Sequence, residues 1–150
     1  MIKTFRGILT DGEQERIRLS TKKGKIGYKI INFQLFPSAP GVTAQESVMK
    51  IFKIKQTTVT GTVDFSDGNL LAASYQRSPA SLGTASGYST TIFTIFEQEI
   101  FNQDVYITHD ENVGSATSNY YIELETIDMT DNQAAVSTLR DIRLNPQVGA

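Results

Sequence analysis

Along most of the chain apolar and polar residues alternate in short runs with a period near two, which predicts strands rather than helices. The stretch Ile26–Phe36, IGYKIINFQLF, is rich in β-branched and aromatic residues. A loop containing Pro37, Pro40 and Gly41 breaks it, and a second such run covers Glu46–Lys55. Both read as long strands. In the first, Ile31, Phe33 and Leu35 line one side and Tyr28 and Ile30 the other. A strand apolar on both sides is expected mid-sheet, covered above and below. The rest of the chain is expected to pack around this pair.

Residues 2–9 read as a first strand, and Asp11-Gly12 supplies a turn signal. Ile17 and Leu19 alternate with Arg16, Arg18 and Ser20 in a half-buried strand pattern, and Lys22-Lys23-Gly24-Lys25 forms a basic turn. Thr57 to Val63 is again β-prone. Phe65–Ser74 predicts a short helical turn capped by Ser66 or Asp67. Residues 76–89, with Pro79, Gly83 and Gly87, read as a flexible surface loop. Thr90–Phe96 and Asp104–Thr108 are the next strands, joined to the last by a polar connection over 109–118. Residues 119–128 show the clearest alternation: Tyr120, Ile122 and Leu124 point one way, Tyr121, Glu123 and Glu125 the other. Thr130-Asp-Asn-Gln133 matches a capping box, and Ala134, Ala135, Val136, Leu139 and Ile142 follow at helical spacing, which predicts a helix over about 131–142. The tail from Asn145 is expected to be irregular. About eight strands, short turns and one terminal helix predict an all-β, two-sheet antiparallel sandwich, jelly-roll-like, formed by residues 1–150 as a single domain. A small barrel is the alternative.

Composition narrows the class. The chain has 150 residues, 39% apolar and 20% charged, enough for one sizeable core. No apolar run is long enough to span a membrane, and the N-terminus lacks a signal-peptide core. With no cysteine, disulfides and thiolate metal sites are excluded, and synthesis in a reducing cytosol fits. The net charge of −2 hides a split. Residues 1–63 hold 11 Lys or Arg against 4 Asp or Glu, a net +7, and residues 64–150 hold 3 against 12, a net −9. Such a split joins halves of one fold, or unlike faces of neighbouring copies.

Candidate chemistry is sparse. His109 has Asp110 and Glu111 beside it, but a metal or acid–base site needs a further convergent ligand, and a solvated turn is the favoured reading. Asp64, Ser66, Asp67 and Gly68 lack the spacing of a calcium loop and read as a turn or cap. Neither a nucleophile elbow nor a phosphate-cradling glycine loop is present. Glu123 and Glu125 sit two apart on a wet strand face, with no implied cleft for glycoside hydrolysis. No enzyme activity and no cofactor is expected. Lys50, Lys53 and Lys55 beside Phe52 raise nucleic-acid contact, yet the pI of about 5.4 opposes it, and strand lysines also guard sheet edges. Tyr75, Tyr88, Tyr106 and Tyr121 keep glycan binding open. The positions chosen as a protein interface are Lys50, Lys53, Lys55, Tyr121, Glu123 and Glu125.

Over most of its length, the chain resembles small virion proteins of marine tailed bacteriophages. The residues that carry the resemblance are Gly27–Pro37, Gln45–Ile54, Asn102–His109, Asn119–Glu125 and Ala134–Arg143. It implies a virion structural protein, made in the host cytoplasm and held at the capsid surface. The preferred role is a decoration or cement protein bridging capsid subunits, with the major capsid protein or other virion proteins as partners, as a homo-oligomer or multi-copy array. It implies neither nucleic-acid nor membrane binding, and carries over no functional residues. The alternative is a receptor- or glycan-binding module on a tail or head fibre.

Overall fold

The computed structural model describes residues 1–39, 44–78 and 91–144. Their elements are β1 (Ile2–Leu9), β2 (Gln14–Ile17), β3 (Ile26–Pro37), β4 (Gln45–Phe52), β5 (Leu70–Ser78), β6 (Thr91–Phe96), β7 (Val105–Glu111), β8 (Ser118–Asp128) and α1 (Asp131–Leu144). The strands form two antiparallel sheets, ordered β1-β8-β3 and β2-β7-β4-β5-β6. This is the all-β sandwich of eight strands with a C-terminal helix that the alternation predicts. First pairs with last, second with next to last, and the middle strands β4 and β5 with each other. That nesting is jelly-roll-like. The departure is β6, which pairs with β5 and only packs across from β3.

β8 is the middle of the smaller sheet. Its Tyr120, Ile122 and Leu124 are buried as the alternation requires, and Ile122 stands between Phe5 of β1 and Phe33 of β3. From the larger sheet Met49, Ile51, Leu71, Ala72, Val105 and Ile107 meet them in one core. Each such side chain contributes roughly 1.5–3 kcal/mol when fully buried.

β3 differs from expectation in two ways. It is an edge strand, not a central one. Its ladder also slips between Ile30 and Asn32, which face Leu124 and Glu123 in succession and leave Ile31 unpaired. This β-bulge shifts the alternation by one residue. Tyr28 and Ile30 before it and Phe33 and Leu35 after it therefore share the core face, while Ile31 is only half-buried. The two-sided apolar pattern comes from the bulge, not from burial on both faces. The start of the free edge is covered: the Tyr28 amide donates to Phe101 O (2.7 Å), the Phe101 amide donates back (3.0 Å), and the two rings stack.

Between β4 and β5, Thr57–Val63 forms no strand, and the helical turn expected over 65–74 is replaced by turns at 65–69 and by strand β5 from Leu70. Asp64 Oδ1 accepts from the amide and hydroxyl of Ser66, and Asp67 Oδ1 from the amide of Asn69. The segment lies as a strap over the outer face of the larger sheet, burying Val48, Lys50 and Phe52 from outside. A Cβ on Gly61 would come within 2.6 Å of Asp110 Oδ2, so the strap approaches β7 more closely than a side chain permits.

β5 runs on to Ser78 and β7 to Glu111, so 76–78 and 109–111 are strand and not loop. The expected loop residues 79–89 and the tail from Asn145 lie outside the described residues. The capping box of α1 forms as predicted: the Thr130 amide donates to Gln133 Oε1 (3.0 Å) and the Gln133 amide to Thr130 Oγ1 (3.2 Å). The face of α1 that packs differs from the apolar stripe. Ala134 and Ser137 are buried, whereas Val136 and Leu139 are exposed. The reason is a polar anchor, since buried Asn102 Nδ2 donates to Gly24 O (3.0 Å) and to Thr138 Oγ1 (2.8 Å).

Removing one isoleucine from the pair Ile30-Ile31 deletes the bulge yet keeps every flanking side chain on its present face. The variant is expected to fold, with unchanged far-UV circular dichroism. Ile122→Ala, by contrast, is expected to cost ~2–5 kcal/mol in denaturant unfolding.

Candidate functional site

The three lysines chosen from sequence do not form one surface. Lys50 lies in β4, the centre of its sheet, and Lys53 and Lys55 follow it outside any strand, so these lysines guard no edge. Lys50 lies beneath the strap, where its Nζ donates to Thr62 O (2.6 Å) and sits 5.2 Å from the Phe52 ring centre. Burial pushes its pKa down, while Asp110 and Asp67 pull it back up. Lys53 is buried and paired with Glu99. Lys55 is exposed.

Tyr121, Glu123 and Glu125 do share the outward face of the smaller sheet. The Tyr121 hydroxyl donates to Glu123 Oε1 (2.9 Å), which raises the tyrosine pKa, and Glu125 lies 3.9 Å from Lys29 Nζ. Beyond them the face turns apolar. An open groove of about 570 Å³ is lined by Arg6, Ile8, Phe36, Asn119 and Tyr121, with Ile8 and Phe36 exposed. Strand pairing sets Arg6 beside Tyr121 and Ile8 beside Asn119, with Phe36 across from Asn119. An aromatic and apolar floor with a guanidinium and an amide at its side can hold a protein segment or a sugar ring.

His109 is the clearest correction. It is no solvated turn but a fully buried residue of β7. Its Nδ1 is 3.0 Å from both Leu9 O and Thr10 O, so Nδ1 carries the proton and donates to them. Nε2 has no hydrogen-bond partner and lies 3.9 Å from Glu111 Oε2. Glu111 is itself spent on structure, accepting from the Glu46 amide and the Ser47 hydroxyl. Among the described residues, no three His, Cys, Asp or Glu are placed to hold a metal ion.

Asp104 and Asn102 had no signal in the sequence. Asp104 Oδ1 accepts from the amides of Leu19 (2.7 Å) and Ser20 (2.8 Å), and Oδ2 from Arg16 Nε (2.7 Å). Burial pushes the carboxyl up, but the Ser20 and Leu19 amides and the Arg16 guanidinium outweigh it, and its pKa lies below the ordinary range. The donors are 84 to 88 residues away in the chain, so no local pattern reveals the contact.

A second open surface lies on the larger sheet, where the strap leaves β5 and β6 uncovered. Val63, Phe65, Tyr75, Phe93 and Ile95 line a groove of about 370 Å³ there. Phe65, Phe93 and Ile95 are each more than half exposed, and the rings of Tyr75 and Phe93 stack at 6.3 Å. Of the other tyrosines considered for glycans, Tyr106 is half-buried and Tyr88 lies outside the described residues.

Asp104→Asn is expected to destabilise the fold by ~1–3 kcal/mol at neutral pH. The folded-state pKa is lowered, so the carboxylate stabilises above the unfolded value of about 3.9, and this is lost as pH falls through the folded value. Denaturant titrations across pH should therefore show the gap between wild type and variant closing in acid. Lys50→Met removes both a desolvated charge and the donor to Thr62 O. Stability should change by no more than ~1 kcal/mol, while amide exchange speeds up in residues 60–66 of the strap.

No protein-family model, no curated protein and no solved structure matches this chain.

Proposed function

We propose that this chain is a non-catalytic structural protein of a tailed-phage particle, a decoration or cement protein that bridges capsid subunits. The observation that carries the reading is where the reactive groups go. Asp104, Glu111, Lys50 and Lys53 each hold a connection or the strap in place. What faces outward instead is two grooves with exposed apolar side chains, Ile8 and Phe36 on one sheet and Phe65, Phe93 and Ile95 on the other. Exposed apolar patches rimmed by polar residues suit contact with other proteins. An array of copies needs only modest affinity per contact. The virion-protein resemblance supplies the particle. The strand nesting lends support by fold analogy alone, since jelly rolls recur in viral capsids.

Ion pairs within the molecule support the reading of the charge split as joining halves of one fold. Arg16–Asp104, Lys29–Glu125 and Lys53–Glu99 each join the basic first half to the acidic second half within one molecule. Of the six positions chosen as an interface, Lys55, Tyr121, Glu123 and Glu125 keep surface that a partner can reach, and Lys50 and Lys53 do not.

One observation favours a second reading, a receptor- or glycan-binding module on a fibre. The groove beside Tyr121 joins Phe36, Arg6 and Asn119, the mix of flat apolar surface and hydrogen-bonding groups that sugars use.

A reconstruction of the intact particle separates the two. Density for this sandwich between capsomers is the expected result; density confined to fibres, with saturable binding of isolated protein to host glycans, would reject the capsid role.

A further inference from the structure

A two-sheet sandwich has four outermost strands, and three of these are blunted. β1 carries Lys3 and Arg6. β2 is four residues long, and its Arg16 is held by Asp104. β3 carries Lys29, is broken by the bulge, is capped at Tyr28 by Phe101 and ends in Pro37. Charge, brevity, bulges, proline and cover are the devices by which sheets avoid pairing with other chains. Among the described residues β6, TIFTIF, shows none of them. It holds no charge, proline or bulge, and no charged residue occurs anywhere between Arg77 and Glu97. Among the described residues its outer edge has no strand partner.

We infer that β6 is a self-association edge, pairing antiparallel with β6 of a second copy to join two five-stranded sheets into one. The charge pattern selects this occupant. A neutral strand meets its own copy without setting like charges opposite each other, whereas β1 would bring its two cations against theirs. Twofold pairing is also self-closing, so the edge is consumed in a dimer. In a register centred on Thr94, Phe93 stands opposite Ile95 of the second copy on the outward face. That is an aromatic–β-branched pair of the kind that stabilises ladders. Both residues are exposed in the single chain, at 63% and 53%. They also border the groove with Phe65, Val63 and Tyr75, so pairing extends the apolar surface across the junction. Six residues and these side chains make a small interface, so the expected association is weak and reversible. The inference does not depend on the phage assignment, since it concerns the isolated chain.

Sedimentation velocity over a micromolar to millimolar range tests it, together with amide exchange. The expected result is a monomer–dimer equilibrium in which exchange of residues 92–96 slows as concentration rises. Ile95→Lys should weaken the dimer at least about tenfold, and Ile2→Lys, an exposed position on the other sheet, should not. Matching far-UV spectra would establish that both variants are folded, and the exchange measurement needs no variant. A wild type that stays monomeric, assembly beyond a dimer, or dimerisation indifferent to Ile95→Lys would each overturn the proposal.

Discussion

A chain that crosses from one sheet to the other leaves both ladders, and its backbone groups then need other partners. This constraint decides where the buried polar side chains of this protein lie. At the crossing from β1 to β2, His109 Nδ1 serves the carbonyls of Leu9 and Thr10. At the crossing from β2 to β3, Asp104 serves the amides of Leu19 and Ser20, and Asn102 the carbonyl of Gly24. Where β3 passes to β4, Glu111 receives the amide of Glu46. Where β7 passes to β8, Ser38 and Gln45 donate to the carbonyl of Thr117. Leaving any of these backbone groups unbonded would cost roughly 1–3 kcal/mol. Residues that look like the makings of an active site are thus fastenings, and their removal would be felt as lost stability.

The same constraint explains what could be read from the sequence. Local regularities were legible. The alternation of β8 and the capping box of α1 depend on neighbours two to four residues away, and both appear where they were expected. The bulge at Ile31 was not legible, because two isoleucines in succession satisfy either face and only the register against β8 decides between them. His109 was misjudged because Asp110 and Glu111 beside it look like a loop. In the folded chain alternate residues of β7 face opposite ways, and the inward His109 and Glu111 lie at a polar end of the core with buried Gln45, Ser47 and Gln76. Thr57–Val63 has strand composition but meets a sheet face instead of a sheet edge, and so forms a strap.

The candidate surfaces follow from what the fold leaves over. Burying Lys50 and Lys53 removes two of the three lysines of the basic strip that the sequence displays, and the strap roofs the middle of the larger sheet. Among the described residues, the grooved apolar areas of the two sheets lie beside Tyr121 and over β5 and β6. Exposure of single apolar residues is ordinary, but on the sheets Ile8 and Phe36 gather in one place and Phe65, Phe93 and Ile95 in another.

The placement of β8 between β1 and β3 also sets a timetable. The two outer strands share no ladder with each other, so the smaller sheet has no partial form before residue 118 is made. The +7 of the first 63 residues falls to +1 over residues 1–117, since seven of the twelve later carboxylates precede β8. Pairings this distant in sequence close slowly. A ribosome therefore makes 117 residues of this sequence before the three-stranded sheet can begin to form.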